Sequence, residues 1–279
     1  MTETTTGRLR VDGAELYYEV RGRGPLLLLI PGGTGGAASF EEIVDDLAAD
    51  RTVVTYDPRG LSNSPLDDPA APQRVEQHAE DALGLIDLLS PGEPVSVAGC
   101  SSGAIVAMRL LTAHPGRVAR VVAHEPPLAE VLPDAAEHRA MLARVREAFD
   151  REGPMAAATV LAAGLRRPGE SAGARPAAEL SPRAAARVER SMADAPYFIG
   201  RVIPSFMAHV PDVDRLRALS DRLVLAAGAD SHGELPYRPA ALLAERFGTE
   251  LVHFPGGHTG LSTHPAEFGK LLREVLDAR

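Results

Sequence analysis

Three features of the sequence predict a doubly wound α/β fold, a mostly parallel sheet covered on both faces, with a helical insertion. Short apolar runs of β-type residues recur along the chain, at 26–30 (LLLLI), 52–56 (TVVTY), 94–99 (PVSVAG), 118–125 (VARVVAHE), 222–228 (RLVLAAG) and 249–256 (TELVHFPG). Most of them are separated by segments of helical period. One stretch, from about Pro126 to Asp214, is rich in Ala, Arg, Pro and Glu and reads as helices without strands. Parallel strands joined by crossover helices are buried on both sides, so they read as continuous apolar runs.

Taken in order, the polar start is followed by "RLRVDGAELYYEV", two alternating runs around Asp12-Gly13. That pair accepts positive φ at both positions and predicts an antiparallel hairpin. Helices are expected over "SFEEIVDDLAAD" with Ser39 as N-cap, over "RVEQHAEDALGLIDLLS", and over "SGAIVAMRLLTAHP", stopped by Pro115. Two more are expected near the C-terminus, over "LPYRPAALLAERFG" and "PAEFGKLLREVLDAR". The division expected is therefore a core at 1–125 and 215–279 interrupted by a helical lid at 126–214. Within the lid, the Gly- and Pro-rich stretch 166–183 predicts a mobile loop.

The chain has 279 residues, 45% of them hydrophobic, as in a folded globular protein. Its formal charge of -9 comes from 38 acidic and 29 scattered basic residues, which argues against a nucleic-acid partner. Cys100 is the only cysteine, so no intramolecular disulfide can form. The start lacks the apolar core of a signal peptide, and "PLLLLIP" is too short to cross a bilayer as a helix. A cytoplasmic protein without membrane association is the expectation; the oligomeric state stays open, a homodimer included.

The chemistry centres on "VAGCSSGAIVAM". Gly99-Cys100-Ser101-Ser102-Gly103 fits G-x-S-x-G between a strand and a helix, the context in which a strained turn presents a serine nucleophile. The flanking glycines are required because a Cβ there would strike the neighbouring strand and helix. Ser101 is the candidate nucleophile. Cys100 is its rival in a register that ends the strand a residue early, and simple helix capping by Ser101 is the alternative to both.

A serine hydroxyl needs a base. His258, in the Gly-rich "FPGGHTG" after the last strand, is placed to supply it; His253 lies within the strand, and His264 precedes a helix-opening proline and suits capping. The donor-rich backbone of "IPGGTGG" suits an oxyanion hole, with Gly33 N–H and Ser102 N–H as donors and Gly32 beside the substrate. Such a loop is also readable as a plain glycine turn.

Together, the elbow, the "PGGTGG" loop, "TYDPRGLSNS" and "FPGGHTGLSTHPAEF" resemble the α/β-hydrolase superfamily over essentially the full length. Within it, "AGCSSGA", "VVAHEPP" and "PGGHTGLSTHPAEF" most resemble the lactone hydrolases that open zearalenone and related actinobacterial hydrolases. The resemblance implies a triad of Ser101, His258 and an acid. The superfamily's common acid position corresponds to Asp230; in the zearalenone hydrolases the acid corresponds to Glu125. Glu125 is favoured, since it ends an apolar strand, is fixed by Pro126-Pro127 and is long enough to reach His258; Asp230 is the alternative, in "GADSHGEL", which equally suits a polar turn. Asp57 and Arg59 are read as structural, and His124 as a neighbour of the acid.

The chain departs from the resemblance in two places. Pro31 stands where many hydrolases have histidine, and there is no tryptophan, whereas the fungal lactone hydrolases use a lid tryptophan against their aromatic substrate. Tyr197, Phe198, Phe206 and Met207 are candidates for an apolar substrate pocket and equally for the packing core of the lid.

The function expected is a serine hydrolase that cleaves an ester or lactone of a small apolar substrate through an acyl-enzyme, without cofactor or metal, with a zearalenone-type lactonase as the narrower reading. Ser101 excludes the carboxylate nucleophile of epoxide hydrolases and haloalkane dehalogenases. The histidines lack H-E-x-x-H spacing, and one cysteine cannot build a thiolate metal site. A cofactor-free haloperoxidase or acyltransferase would share the triad, and a non-enzymatic small-ligand sensor on the same fold is the reading from another class.

Overall fold

The computed structural model describes residues 3–166 and 182–278. Eight strands form one sheet: β1 (Thr4–Val11), β2 (Ala14–Arg21), β3 (Leu26–Ile30), β4 (Thr52–Tyr56), β5 (Val95–Cys100), β6 (Val118–His124), β7 (Leu223–Gly228) and β8 (Leu251–Phe254), in the order β1-β2-β4-β3-β5-β6-β7-β8. Only β2 runs against its neighbours; every pair from β4 to β8 is parallel. Gly13, at φ 74°, turns the β1–β2 hairpin between Val11 and Ala14, as the Asp-Gly pair predicts.

The apolar runs are strands because both of their faces are covered. On β3, Leu26, Leu28 and Ile30 enter one core, while Leu27 and Leu29 enter the other. The first core is closed by helices α1 (Val75–Leu89) and α2 (Ser102–Ala113) and by the chain between β6 and β7; α7 (Pro265–Asp277) closes the second through Phe268, Leu272 and Leu276. That inserted chain includes α3 (Ala135–Glu152), α4 (Pro154–Leu165) and α5 (Pro182–Tyr197), and among its described residues there is no strand. Pro196 interrupts the hydrogen bonding of α5, and residues 198–202 widen into a π turn. α6 (Tyr237–Phe247) joins β7 to β8. The loop expected within 166–183 lies for the most part outside the described residues, at 167–181.

The first of the expected helices is reduced to fragments. Residues 37–40 form a 3-10 turn and Val44–Leu47 a single α-helical turn. The cap is not Ser39, whose own N–H bonds Gly36 O at 3.0 Å; the carboxylate of Asp57, at the end of β4, accepts the Ala37 N–H at 2.9 Å. Phe40, Ile43, Val44 and Leu47 are buried as the helical period requires, so packing survives the break in the helix.

All the parallel strands deliver their carboxyl ends to one edge of the sheet, the edge at which ligands of open α/β sheets bind. The loops 31–36 and 57–64, Ser101, Glu125, residues 229–231 and His258 follow β3 to β8 there. Among the described residues no helix is long and apolar enough to cross a membrane.

Candidate active site

The turn between β5 and α2 is built by sterics. A Cβ on Gly99 would lie 2.3 Å from Gly103 O, and one on Gly103 would lie 2.3 Å from Ile30 O. With both positions bare, strand, helix and β3 close together and Ser101 is forced to φ 53°, ψ -122°. Such a conformation costs a side-chain-bearing residue roughly 1–3 kcal/mol and persists only where its surroundings impose it. The Ser101 N–H bonds His124 O at 2.8 Å, and its C=O accepts the Ala104 N–H at 2.9 Å. Its side chain caps nothing.

The Ser101 hydroxyl instead lies 3.2 Å from His258 Nε2. On the far side of the ring, His258 Nδ1–H donates to Glu125 Oε2 at 2.6 Å. The other oxygen, Oε1, accepts the Gly228 N–H at 2.8 Å and the hydroxyl of Ser231. Glu125 is wholly buried and, like Ser101, sits at positive φ, 50°. Burial alone would raise the pKa of its carboxyl; the hydrogen bond and charge of His258, the neighbouring His124 ring and the Ser231 hydroxyl outweigh this and hold it below the ordinary carboxylate value. The arrangement gives a buried anion, a ring fixed in one tautomer with Nε2 as acceptor, and a hydroxyl on a strained turn facing it.

The other candidates separate clearly. Asp230 is exposed, its N–H bonded to Gly256 O at 2.9 Å, and His258 is engaged by Glu125 instead. Cys100 completes β5 opposite His124, and burial, with the Glu125 charge, pushes its thiol up to about 12. It is no nucleophile near neutral pH. His253 bonds the Tyr237 hydroxyl at 3.1 Å, and His264 bonds the Thr263 hydroxyl at 2.8 Å without capping α7 through its side chain. His124 is buried between Phe254 and Phe268, its ring edge-on to both.

The glycine loop comes close to the serine turn: a Cβ on Gly32 would be 2.4 Å from Cys100 O and 2.7 Å from Ser101 Cβ. Gly33, at φ 63°, points its N–H at Ser102 Oγ, 3.1 Å away. Beside this loop opens a cleft of about 490 Å³ whose walls include Gly32, Gly33, Thr34, Asn63, Ser191 and Thr259, the last adjoining His258. Asp57 bonds Asn63 at the back of it, and Arg59 forms a buried two-pronged pair with Asp81, at 2.6 and 2.5 Å, so both stiffen the wall.

The aromatic residues expected at an apolar pocket are drawn inward. Phe206 and Met207 are 2% and 1% exposed, and Phe206 stands edge-on to His78 at 4.9 Å. Phe198 and Phe206 meet Ser102 and Gly33 only around a cavity of about 20 Å³. Tyr197 lays its ring over Gly60. The larger cleft is thus lined mostly by glycine and polar side chains, because the apolar residues are consumed by packing against α1 and α2.

A serine on a tight strand-to-helix turn, bonded through a histidine to a buried carboxylate at the carboxyl edge of a mostly parallel sheet, is the layout of the α/β hydrolases. The family model for the alpha/beta hydrolase fold matches residues 25–262, and the chain belongs to that family. It is 33% identical to the uncharacterized hydrolase YraK of Bacillus subtilis (strain 168) over 97% of this chain and 96% of that protein. A zearalenone hydrolase of Bionectria ochroleuca matches in part, at 34% identity over 42% of this chain and 45% of its own length. Among solved structures, a thermophilic esterase from Thermogutta terrifontis shares the fold with a TM-score of 0.74 at 23% identity, covering 97% of this chain and 98% of that one.

Two groups at the site carry no signal in the sequence, Gly228 N–H and Ser231, which hold the Glu125 carboxylate from the end of β7. Their stretch "GADSHGEL" carries only the signal of a polar turn.

Proposed function

We propose that the chain is a serine hydrolase of small esters or lactones that works through an acyl-enzyme. The observation that carries this is the unbroken relay Ser101 Oγ, His258, Glu125, with spacings of 3.2 and 2.6 Å. His258 Nε2 takes the hydroxyl proton as Ser101 Oγ attacks the carbonyl, and Glu125 stabilises the resulting imidazolium. The same ring then returns the proton to the leaving oxygen. Water, deprotonated by His258, attacks the acyl-enzyme and releases the acid.

The developing oxyanion is assigned to Ser102 N–H and Gly33 N–H, and losing one such donor costs about 3 kcal/mol of transition-state stabilisation. The Gly33 N–H is held by Ser102 Oγ, so the carbonyl oxygen displaces a hydroxyl that swings aside. For a lactone the new alcohol stays tethered to the acyl-enzyme, and the chain between β6 and β7 acts as the lid that protects it until water arrives. The partial likeness to a zearalenone hydrolase supports the lactone class, and the cleft beside the Gly32-Gly33 loop, walled by glycine and polar side chains, supports a compact substrate that carries polar groups.

The test is intact-protein mass spectrometry after exposure to a fluorophosphonate. One adduct per chain on the wild type, absent from Ser101→Ala and far slower in Glu125→Gln, is the expected result. A wild type that stays unmodified overturns the mechanism and leaves ligand binding as the use of the cleft.

A further inference from the structure

Ser231 is 1% exposed, in the turn that follows β7, and it belongs to no element of the mechanism above. Its hydroxyl has a single proton and two acceptors within reach, Glu125 Oε1 and Gly228 O, the latter at 3.0 Å. A carboxylate is the stronger acceptor, so the proton goes to Glu125 as a charge-assisted bond. The two oxygens of Glu125 are thereby divided: among the described residues Oε2 serves His258 alone, and Oε1 is gripped by Gly228 N–H and by Ser231.

We infer that Ser231 is a positioning residue, one that sets the plane of the Glu125 carboxylate and draws part of its charge away from the histidine. This rests on the triad reading above and assigns its fourth member. The terminal torsion of a glutamate is broad, so His258 on Oε2 and one backbone donor on Oε1 leave the carboxylate plane free to rock, and a second donor on Oε1 from a different direction narrows it. The N–H comes from the β7 backbone and the hydroxyl from the turn beyond it. Without the hydroxyl, more negative charge remains at Oε2, and the protonated ring opposite it is better stabilised. The charged and titratable groups around Glu125 are His258 from the loop after β8, His124 from β6 and Cys100 from β5; Ser231 is the neutral donor on the β7 side.

The experiment follows hydrolysis of a p-nitrophenyl ester and fluorophosphonate labelling from pH 5 to pH 9 in the wild type, Ser231→Ala and Ser231→Thr. Ser231→Ala is expected to lower kcat by about tenfold, equivalent to about 1.4 kcal/mol, with little change in KM. It should also move the acid limb of the profile to higher pH, while Ser231→Thr, which keeps the hydroxyl, restores the limb. A purely structural role would reduce thermal stability and the active fraction and leave the limb in place. Should Ser231→Ala not fold, Ser231→Cys, nearly matched in volume but a weak donor, takes its place with the same expected shift. A profile for the folded variant that superimposes on the wild type overturns the assignment while leaving the triad intact. Absence of labelling in the wild type is the separate failure of the triad itself.

Discussion

Glu125 and His258 meet across a strand that carries neither of them. Glu125 follows β6 and His258 follows β8, while β7 lies between, yet Oε2 reaches Nδ1 at 2.6 Å. The left-handed backbone at Glu125 aims the side chain over β7, whose end supplies the Gly228 N–H to the other oxygen. Geometry of this kind depends on side-chain length. Glu125→Gln keeps the length and loses the charge, and fluorophosphonate labelling is expected to slow by about 10³- to 10⁴-fold. Glu125→Asp loses one methylene of reach and should also fall well below the wild type. Asp230→Asn, on an exposed side chain, should label near the wild-type rate. A slow Asp230→Asn beside a normal Glu125→Gln would transfer the acid to Asp230.

The two glycines of the elbow and the two of the facing loop divide into tolerant and intolerant positions. A Cβ on Gly33 meets nothing within 4 Å among the described residues, so Gly33→Ala bears only the left-handed backbone, about 1–2 kcal/mol. Gly103→Ala drives a methyl to 2.3 Å from Ile30 O and 2.4 Å from Pro31 O, backbone atoms of β3 and its loop that have no free direction in which to move. Thermal melts should show Gly33→Ala folded with a modestly lower Tm, and Gly103→Ala recovered unfolded or not at all. A well-folded Gly103→Ala would contradict the packing of β3 against α2.

Cys100, the neighbour of Ser101, should be chemically silent. Its thiol is pushed up to about 12 by burial and by the Glu125 charge, so almost no thiolate exists at pH 8. Iodoacetamide at that pH is expected to alkylate the protein only after denaturation. Cys100→Ala should retain the fluorophosphonate adduct. Rapid alkylation of the native protein would place the sulfur in a different environment from the one described.

What could be read from the sequence follows from how local each determinant is. The elbow was legible because Gly99, Ser101 and Gly103 lie within five residues and the collision they avoid is with adjoining elements. The partner of His258 was legible only through the strand-end position of Glu125 and the family resemblance, since both Glu125 and Asp230 lie at the ends of neighbouring strands. The helix expected over 39–50 is broken because the N–H of Ala37 is met by Asp57, beyond the end of another strand, and not by Ser39. Ser231 was missed for the same reason at longer range, its partner Glu125 being 106 residues away. Phe206 reads from sequence as either a pocket residue or part of the lid's packing core, and its buried edge-on contact with His78 on α1 puts it in the core.

Acid should destabilise this protein from the histidine range downward, and the sign is the same for His78, His124 and Glu125. Burial, aided by the Arg59 charge, lowers His78 to about 3, and its Nε2 is bonded to Gln73 Oε1 at 3.0 Å. Burial lowers His124 to about 4, with Glu125 opposing and His258 assisting, and its Nε2 has no partner among the described residues. Both rings are neutral in the fold and would bind a proton near 6.5 once released, so the unfolded chain takes up more protons below that value. Glu125, depressed in the fold, adds a loss of the same direction at lower pH. Stability is therefore full from about pH 7 upward and drains as pH falls through 6.5 toward 4. Differential scanning fluorimetry across that range should record a steadily falling Tm. His124→Leu removes one titrating group and an unsatisfied buried nitrogen, and fits an apolar site between Phe254 and Phe268. It should equal or exceed the wild-type Tm at pH 7 and give a shallower slope below pH 6.5. A His124→Leu slope as steep as that of the wild type would show that this ring is charged, or reaches water, in the folded protein.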